Sequence, residues 1–171
     1  NNNDGGLQGE LDKGEAKNWA DYQKAGNIAA SNGQDFEVLG ELLKEAPQGP
    51  ILGRLAEAIP GVSTTGDAVE AIVKRVAPTL RVEGSGATSD IEYEGMLRSL
   101  PRLRNSPEGN QIILEVMTKK SEINRARGQV VAQFRSGQID ANAARQQMDA
   151  LNSQSILTPD LRAMIDGGGG N

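Results

Sequence analysis

Between Pro107 and about Arg135 the apolar residues Ile112, Val116, Ile123, Ala126, Val130 and Phe134 follow one another at spacings of 4, 7, 3, 4 and 4. Steps of three, four and seven return to one side of a helix, so the spacing predicts a long amphipathic helix. Its start is written in Ser106-Pro107-Glu108: serine caps, proline fits the first helical position, and glutamate suits the positive end of the dipole. Gly137 supplies the C-cap. At ~1.5 Å per residue this helix is roughly 43 Å long, more than a small core requires and the longest expected in the chain. Lys119, Lys120, Arg125 and Arg127 crowd the stripe and narrow it. Asp140 then caps a return helix carrying Ala144, Met148 and Leu151, and Ser136 to Ile139 joins the two in a helical hairpin.

Upstream, the same periodicity predicts shorter pieces. Glu15 to Ala30 forms a weak helix around Trp19, Tyr22 and Ile28, closed by the Ser31-Asn32-Gly33 breaker. Asp35 caps a helix from Phe36 to Glu45 bearing Leu39, Leu42 and Leu43, which Pro47, Gly49 and Pro50 end. Ile51 to Ile59 is a short helix stopped by Pro60-Gly61. Thr65 or Asp67 caps a helix through Ala68, Val69, Ile72, Val73 and Val76, with Pro78 beyond it. The segment 81–90 is a loop, and Ser89 with Glu92 makes a capping box for a helix carrying Ile91, Tyr93, Met96, Leu97 and Leu100 up to Pro101. Thr158-Pro159 starts a last short helix to Ile165. No stretch alternates with period two, so the expected fold is all-α: several short helices, then a long helix and its return helix.

The expected organisation is a flexible N-terminal arm over 1–14, an acidic bundle of short helices over 15–80, a helical region with the long hairpin over 81–165, and a Gly-rich tail or linker over 166–171. The end runs NNNDGG and DGGGGN resemble the flanks of a domain more than true termini. The chain is therefore expected to be either a processed product or an ordered piece of a longer polypeptide, and the glycine-rich ends favour the second.

Burial has little bulk to work with. Aromatics make up 3% of the 171 residues, namely Trp19, Tyr22, Phe36, Tyr93 and Phe134, and hydrophobic residues 37%. Small aliphatic helical interfaces, completed by further copies or other chains, are the expected form of core. There is no cysteine and no histidine. That removes disulfides, thiolate nucleophiles, the usual zinc sites and the commonest general base. No cofactor, metal or catalytic residue is expected. No apolar run approaches the ~18–20 residues a membrane span needs, and membrane contact is left open.

Charge is uneven along the chain. Residues 1–95 hold 8 basic and 16 acidic residues, whereas 96–136 hold 8 basic and 3 acidic, a swing from −8 to +5. Arg98, Arg102, Arg104, Lys119, Lys120, Arg125 and Arg127 are the candidate contacts to an acidic protein surface or to phosphate. Solvated helix faces pairing with the acidic half are the plainer account. The arginines lack interleaved aromatics, so any contact with nucleic acid is with phosphate and not sequence-specific. Ile112, Val116, Ile123, Val130 and Phe134 are the candidate packing stripe.

Three chemical motifs fail on inspection. Gly84-Ser85-Gly86 lacks the Gly-Lys-Ser/Thr ending and preceding strand of a phosphate loop. Glu92 with Glu94, or Glu41 with Glu45, lie on helix surfaces rather than across a sugar-sized cleft. Ser121 beside Lys120 imitates a serine–lysine nucleophile, but adjacent helical residues point apart.

The stretch TLRVEGSGATSDIEYEGMLRSLPRLRNSPEGN over 79–110 resembles a segment of tailed-phage virion proteins, particularly the internal or DNA-ejection proteins of short-tailed phages. The matching elements are the GSGATSD loop, the helix ending in SLP at Ser99 to Pro101, and the NSPEGN helix start at Asn105 to Asn110. The segment QVVAQFRSGQIDANAARQQM that follows is similar to the helical hairpins of those proteins. The likeness covers about a third of the chain, and it carries over no catalytic residue.

What the resemblance implies is a structural protein inside the capsid or at the portal or tail, expelled with the genome and helping to build a conduit across the host envelope. Expected partners are other copies of the chain, portal or tail components, and DNA without sequence preference. The alternative is a helical scaffold or assembly chaperone that binds a partner protein and is absent from mature particles.

Overall fold

The computed structural model describes residues 4–44, 61, 63–80, 90–101, 103 and 105–167, with side chains in the first stretch from residue 13 onward. All secondary structure among them is helical: α1 (Asp4–Lys44), α2 (Thr65–Val76), a 3-10 turn (Ala77–Leu80), α3 (Asp90–Arg98), α4 (Pro107–Arg135), α5 (Ala141–Asn152) and α6 (Pro159–Gly167). The all-α class and the hairpin of α4 and α5 stand. The expected helix over Ile51 to Ile59, the 81–89 loop with its Ser89 cap, Arg102, Arg104 and the last glycines lie outside the described residues.

Two expectations about the first half are corrected. The helix begins at Asp4 rather than Glu15, and it runs unbroken through Ser31-Asn32-Gly33, so the predicted pair of short helices is a single helix. At 41 residues it exceeds α4, with 29, as the longest helix described. Gly33 costs only about 1 kcal/mol in a helix interior. Burial of Phe36, Leu39 and Leu42 just beyond it contributes about 1.5–3 kcal/mol per side chain, which outweighs that cost. Asn32 has a partner that a breaker would not: its Nδ2 donates to Thr79 Oγ1 at 2.8 Å. Asp35 is not an N-cap but a mid-helix residue that receives Arg75.

The helix ends follow local chemistry closely. Thr64, not Thr65 or Asp67, is the N-cap of α2; it accepts from the Asp67 backbone, and Asp67 returns the bond as the third helical residue. Ser106 Oγ accepts from Gly109 N at 3.0 Å at the start of α4. At its end Gly137 takes φ +73°, in the left-handed region that favours glycine. There Gln138 N reaches Gln133 O at 2.9 Å and Gly137 N reaches Phe134 O at 3.0 Å, a Schellman closure. Asp140 Oδ1 then caps α5 through Ala143 N at 2.8 Å, and Thr158 Oγ1 caps α6 through Leu161 N at 3.1 Å.

The chain divides into two compact units, one of residues 1–31 and 120–155, the other of residues 32–119 and 156–171. In the first, Val130, Val131, Ala144 and Met148 form the buried cluster, with Trp19, Tyr22, Ile139 and Leu151 packed against it. In the second, Phe36, Leu39 and Leu42 of α1 meet Ala68, Val69, Ile72, Val73 and Val76 of α2, with Ala77 and Leu100 closing the cluster. All five apolar residues predicted for α2 are buried.

Candidate interaction surfaces

In the first unit, α1 and α4 touch backbone to backbone. A Cβ placed on Gly26 would sit 2.7 Å from Gly128 Cα, and one on Gly128 would sit 3.0 Å from Gly26 Cα. Around this crossing the larger side chains of α1 find partners on α4 and α5. Trp19 and Phe134 lie with ring centroids 5.0 Å apart, and Gln23 Oε1 accepts from Arg135 Nη1. Glu15 takes both Arg145 Nε and Nη2, at 2.9 and 3.1 Å. That guanidinium holds the Glu15 carboxyl below the usual carboxylate range, chiefly through the hydrogen bond.

The candidate basic residues separate by environment. Lys120 and Arg125 are exposed, whereas Arg127 is half-buried. The Arg127 guanidinium lies 5.6 Å from the centroid of the Tyr22 ring, a cation–π contact, and its Nη1 donates to Asn124 Oδ1 at 3.0 Å. Its Nε is buried without a hydrogen-bond partner. Arg127 therefore acts as packing within this unit as much as surface charge. In the second unit Lys119 is half-buried and Arg98 is exposed at the end of α3.

The candidate stripe divides in the same way. Ile123 and Val130 are buried in the first unit, together with Val131, which the spacing did not single out. Phe134 remains 37% exposed beside Trp19. Ile112 and Val116, in the second unit, are half-buried. There it is Leu114 and Met117 that pack against the core cluster, roughly half a turn round the helix from Ile112 and Val116. A stripe at ideal spacing marks a face without saying which neighbour it meets. The signal for Leu114 and Met117 was their own three-residue step, masked by the stronger run beside it.

Sequence reasoning also missed a groove between α2 and α3 in the second unit. It has a volume of about 350 Å³ and is lined by Gly66, Val69, Glu70, Val73, Lys74, Glu94 and Leu97. The walls are aliphatic and the rim is charged. Lys74 Nζ lies 2.7 Å from Glu70 Oε1, and this hydrogen bond raises the lysine above its ordinary range. Leu103, 57% exposed, approaches to 3.6 Å from a Cβ placed on Gly66, so apolar surface continues past the groove. Ile91, which the sequence listed among the apolar residues of the same helix, is 85% exposed.

Among the described residues no group of three or more acidic, histidine or cysteine side chains is placed to hold a metal ion. No described helix is long and apolar enough to cross a membrane. The groove offers an aliphatic floor and charged edges, a surface suited to contact with an apolar side chain. No known protein family, curated protein or solved structure matches this chain.

Proposed function

We propose that this chain is a structural component of a tailed-phage virion, an internal or DNA-ejection protein that assembles with copies of itself and with portal or tail proteins. Its work is packing rather than catalysis. The observation that carries the assembling part is uncovered apolar surface: Ile91, Leu103, Phe134, Leu157 and Ile165 are each 37% exposed or more. Single exposed apolar residues are ordinary on a protein surface, but Leu103 adjoins an aliphatic groove, and such continuous patches mark contact sites. The resemblance of the 79–110 segment to ejection proteins supports the phage part.

Exposed Lys120, Arg125 and Arg98 suit an acidic partner or DNA phosphate. A DNA contact of this kind weakens steeply with salt and shows no preference between sequences. Mass spectrometry of purified particles tests the reading. The chain is expected among the particle proteins and to leave with the genome. Its presence in infected cells but absence from mature particles would replace this reading with that of a scaffold or assembly chaperone.

A further inference from the structure

Around Ser31-Asn32-Gly33 the local sequence and the fold pull in opposite directions. Serine and asparagine are middling helix formers, and glycine is the usual residue just past a helix end. Asp35 suits the start of a new helix. Yet α1 runs unbroken through all of them. What imposes continuity comes from distant chain: Asn32 Nδ2 donates to Thr79 Oγ1 at 2.8 Å, and Asp35 receives Arg75. These anchors all lie in the second unit, and the division between the units falls between Ser31 and Asn32. Such a conflict of local signal with global fold marks a place where two arrangements of the chain compete.

The part of α1 before this point is held by side-chain contact alone. The buried cluster of the first unit, Val130, Val131, Ala144 and Met148, is drawn wholly from α4 and α5. To it α1 adds the half-buried Trp19 and Tyr22, the backbone crossing at Gly26, and the bonds between Glu15 and Arg145. Residues 32–119 belong to the second unit, so no short loop joins this part of α1 to the hairpin it covers.

We propose that residues 13–31 of α1 are an exchangeable arm, which in assembled copies opens at Ser31 to Gly33 and docks on the α4–α5 hairpin of a second copy. The proposal rests on the reading of the chain as an assembling protein. The occupant is specified by the fit already present within one chain: Gly26 against Gly128, Trp19 beside Phe134, Glu15 on Arg145. Both arrangements make the same contacts, so exchange costs only the opening of the helix and the meeting of two chains. The closed form wins while the chain is more dilute than its own arm, about millimolar for a short flexible link. Copies held side by side in an assembly pass that level, and exchange then ties them together in symmetric pairs.

Glu15→Cys and Arg145→Cys chains, unfolded together and refolded at high concentration with a short bis-maleimide, test this. No native cysteine competes. Exchange gives a heterodimer linked between positions 15 and 145, with a yield that rises with chain concentration. A Glu122→Cys chain is the control, because Glu122 is exposed on α4 well before the hairpin turn. Chance collision couples it to position 15 as readily as position 145 does. Gly33→Ala favours the unbroken helix and should cut the heterodimer by about fivefold or more, since both arms must open. Circular dichroism checks that every variant keeps its helix content. Coupling to Glu122→Cys as fast as to Arg145→Cys, or a yield that Gly33→Ala leaves unchanged, overturns the exchange. So does a link between positions 15 and 145 that forms only within doubly substituted single chains at every concentration. The particle analysis judges the assembling role separately in each case.

Discussion

Gly26 and Gly128 meet at their backbones, 2.7 Å separating a Cβ on the first from the Cα of the second. Neither position has room for a methyl group unless the two helices part. Gly26→Ala is expected to destabilise the first unit by about 1–3 kcal/mol, the usual cost of overpacking, despite alanine's better helix propensity. Gly33→Ala is the control with the opposite sign. Nothing lies within 4 Å of its Cβ position, so it should stabilise α1 by about 0.5–1 kcal/mol. Urea unfolding of both variants decides the matter; equal behaviour would show that the crossing tolerates separation.

Arg75 grips Asp35 from forty residues away in sequence, Nε to Oδ2 at 3.1 Å and Nη2 to Oδ1. The two side chains are unequally covered: 55% of Arg75 is exposed but only 11% of Asp35. Removing the arginine leaves a covered carboxylate without its donors, at about 1–3 kcal/mol. Removing the aspartate leaves a guanidinium that turns to water at little cost. Arg75→Ala should thus lower stability more than Asp35→Ala, and thermal melts of the two variants should preserve that order.

Acid should loosen the protein through two named carboxylates. Asp67 is lowered from its ordinary value first by the Ser63 backbone N–H and then by the hydroxyls and N–H beside it, and Glu15 by Arg145. A carboxylate lowered by folding contributes stability that is fully present above its unfolded value and is lost as pH falls through the folded one. The loss therefore begins in the usual carboxylate range and deepens below it. Glu15→Gln and Asp67→Asn should each flatten the decline of melting temperature over that acid window. At high pH the sign reverses for Lys74, raised by Glu70, whose contribution fades as pH climbs through its folded value.

Val130→Asp and Val116→Asp should differ, although both residues belong to one sequence stripe. Val130 is 5% exposed within the cluster of the first unit, and a carboxylate there costs at least about 2 kcal/mol. Val116 is half-buried, so its carboxylate can reach water and the loss should be smaller. Circular dichroism melts of both variants give the comparison. A larger loss at Val116 would mean that its half-exposed edge is covered in solution.

What the sequence made legible was chemistry that a helix end carries with it. Ser106, Gly137, Asp140 and Thr158 mark the boundaries because caps and left-handed glycines act within a few residues. The apolar set of α2 was equally plain, since one helix face meets one core. The breaker at Asn32-Gly33 misled because the force that overrides it, burial of Phe36 to Leu42 and the Asn32–Thr79 bond, comes from distant chain. The Gly26–Gly128 approach had no local signature, because a glycine looks alike beside a helix or beside water. An apolar list for the helix from Asp90 did not separate its sides: Tyr93, Met96 and Leu97 supply the core side of so short a helix, and Ile91 is left exposed.

The Schellman turn at Gly137 and the Asp140 cap have a kinetic consequence. They join α4 to α5 by contacts only a few residues apart, so the ends of this hairpin meet with little loop-closure entropy. The contacts of Glu15 with Arg145 and of Gln23 with Arg135 span more than a hundred residues and reward the chain only after that closure. The order of assembly is thereby biased: the hairpin condenses first and α1 arrives as the late component. In such an order Met148→Ala should slow folding, whereas Gly26→Ala should mainly speed unfolding.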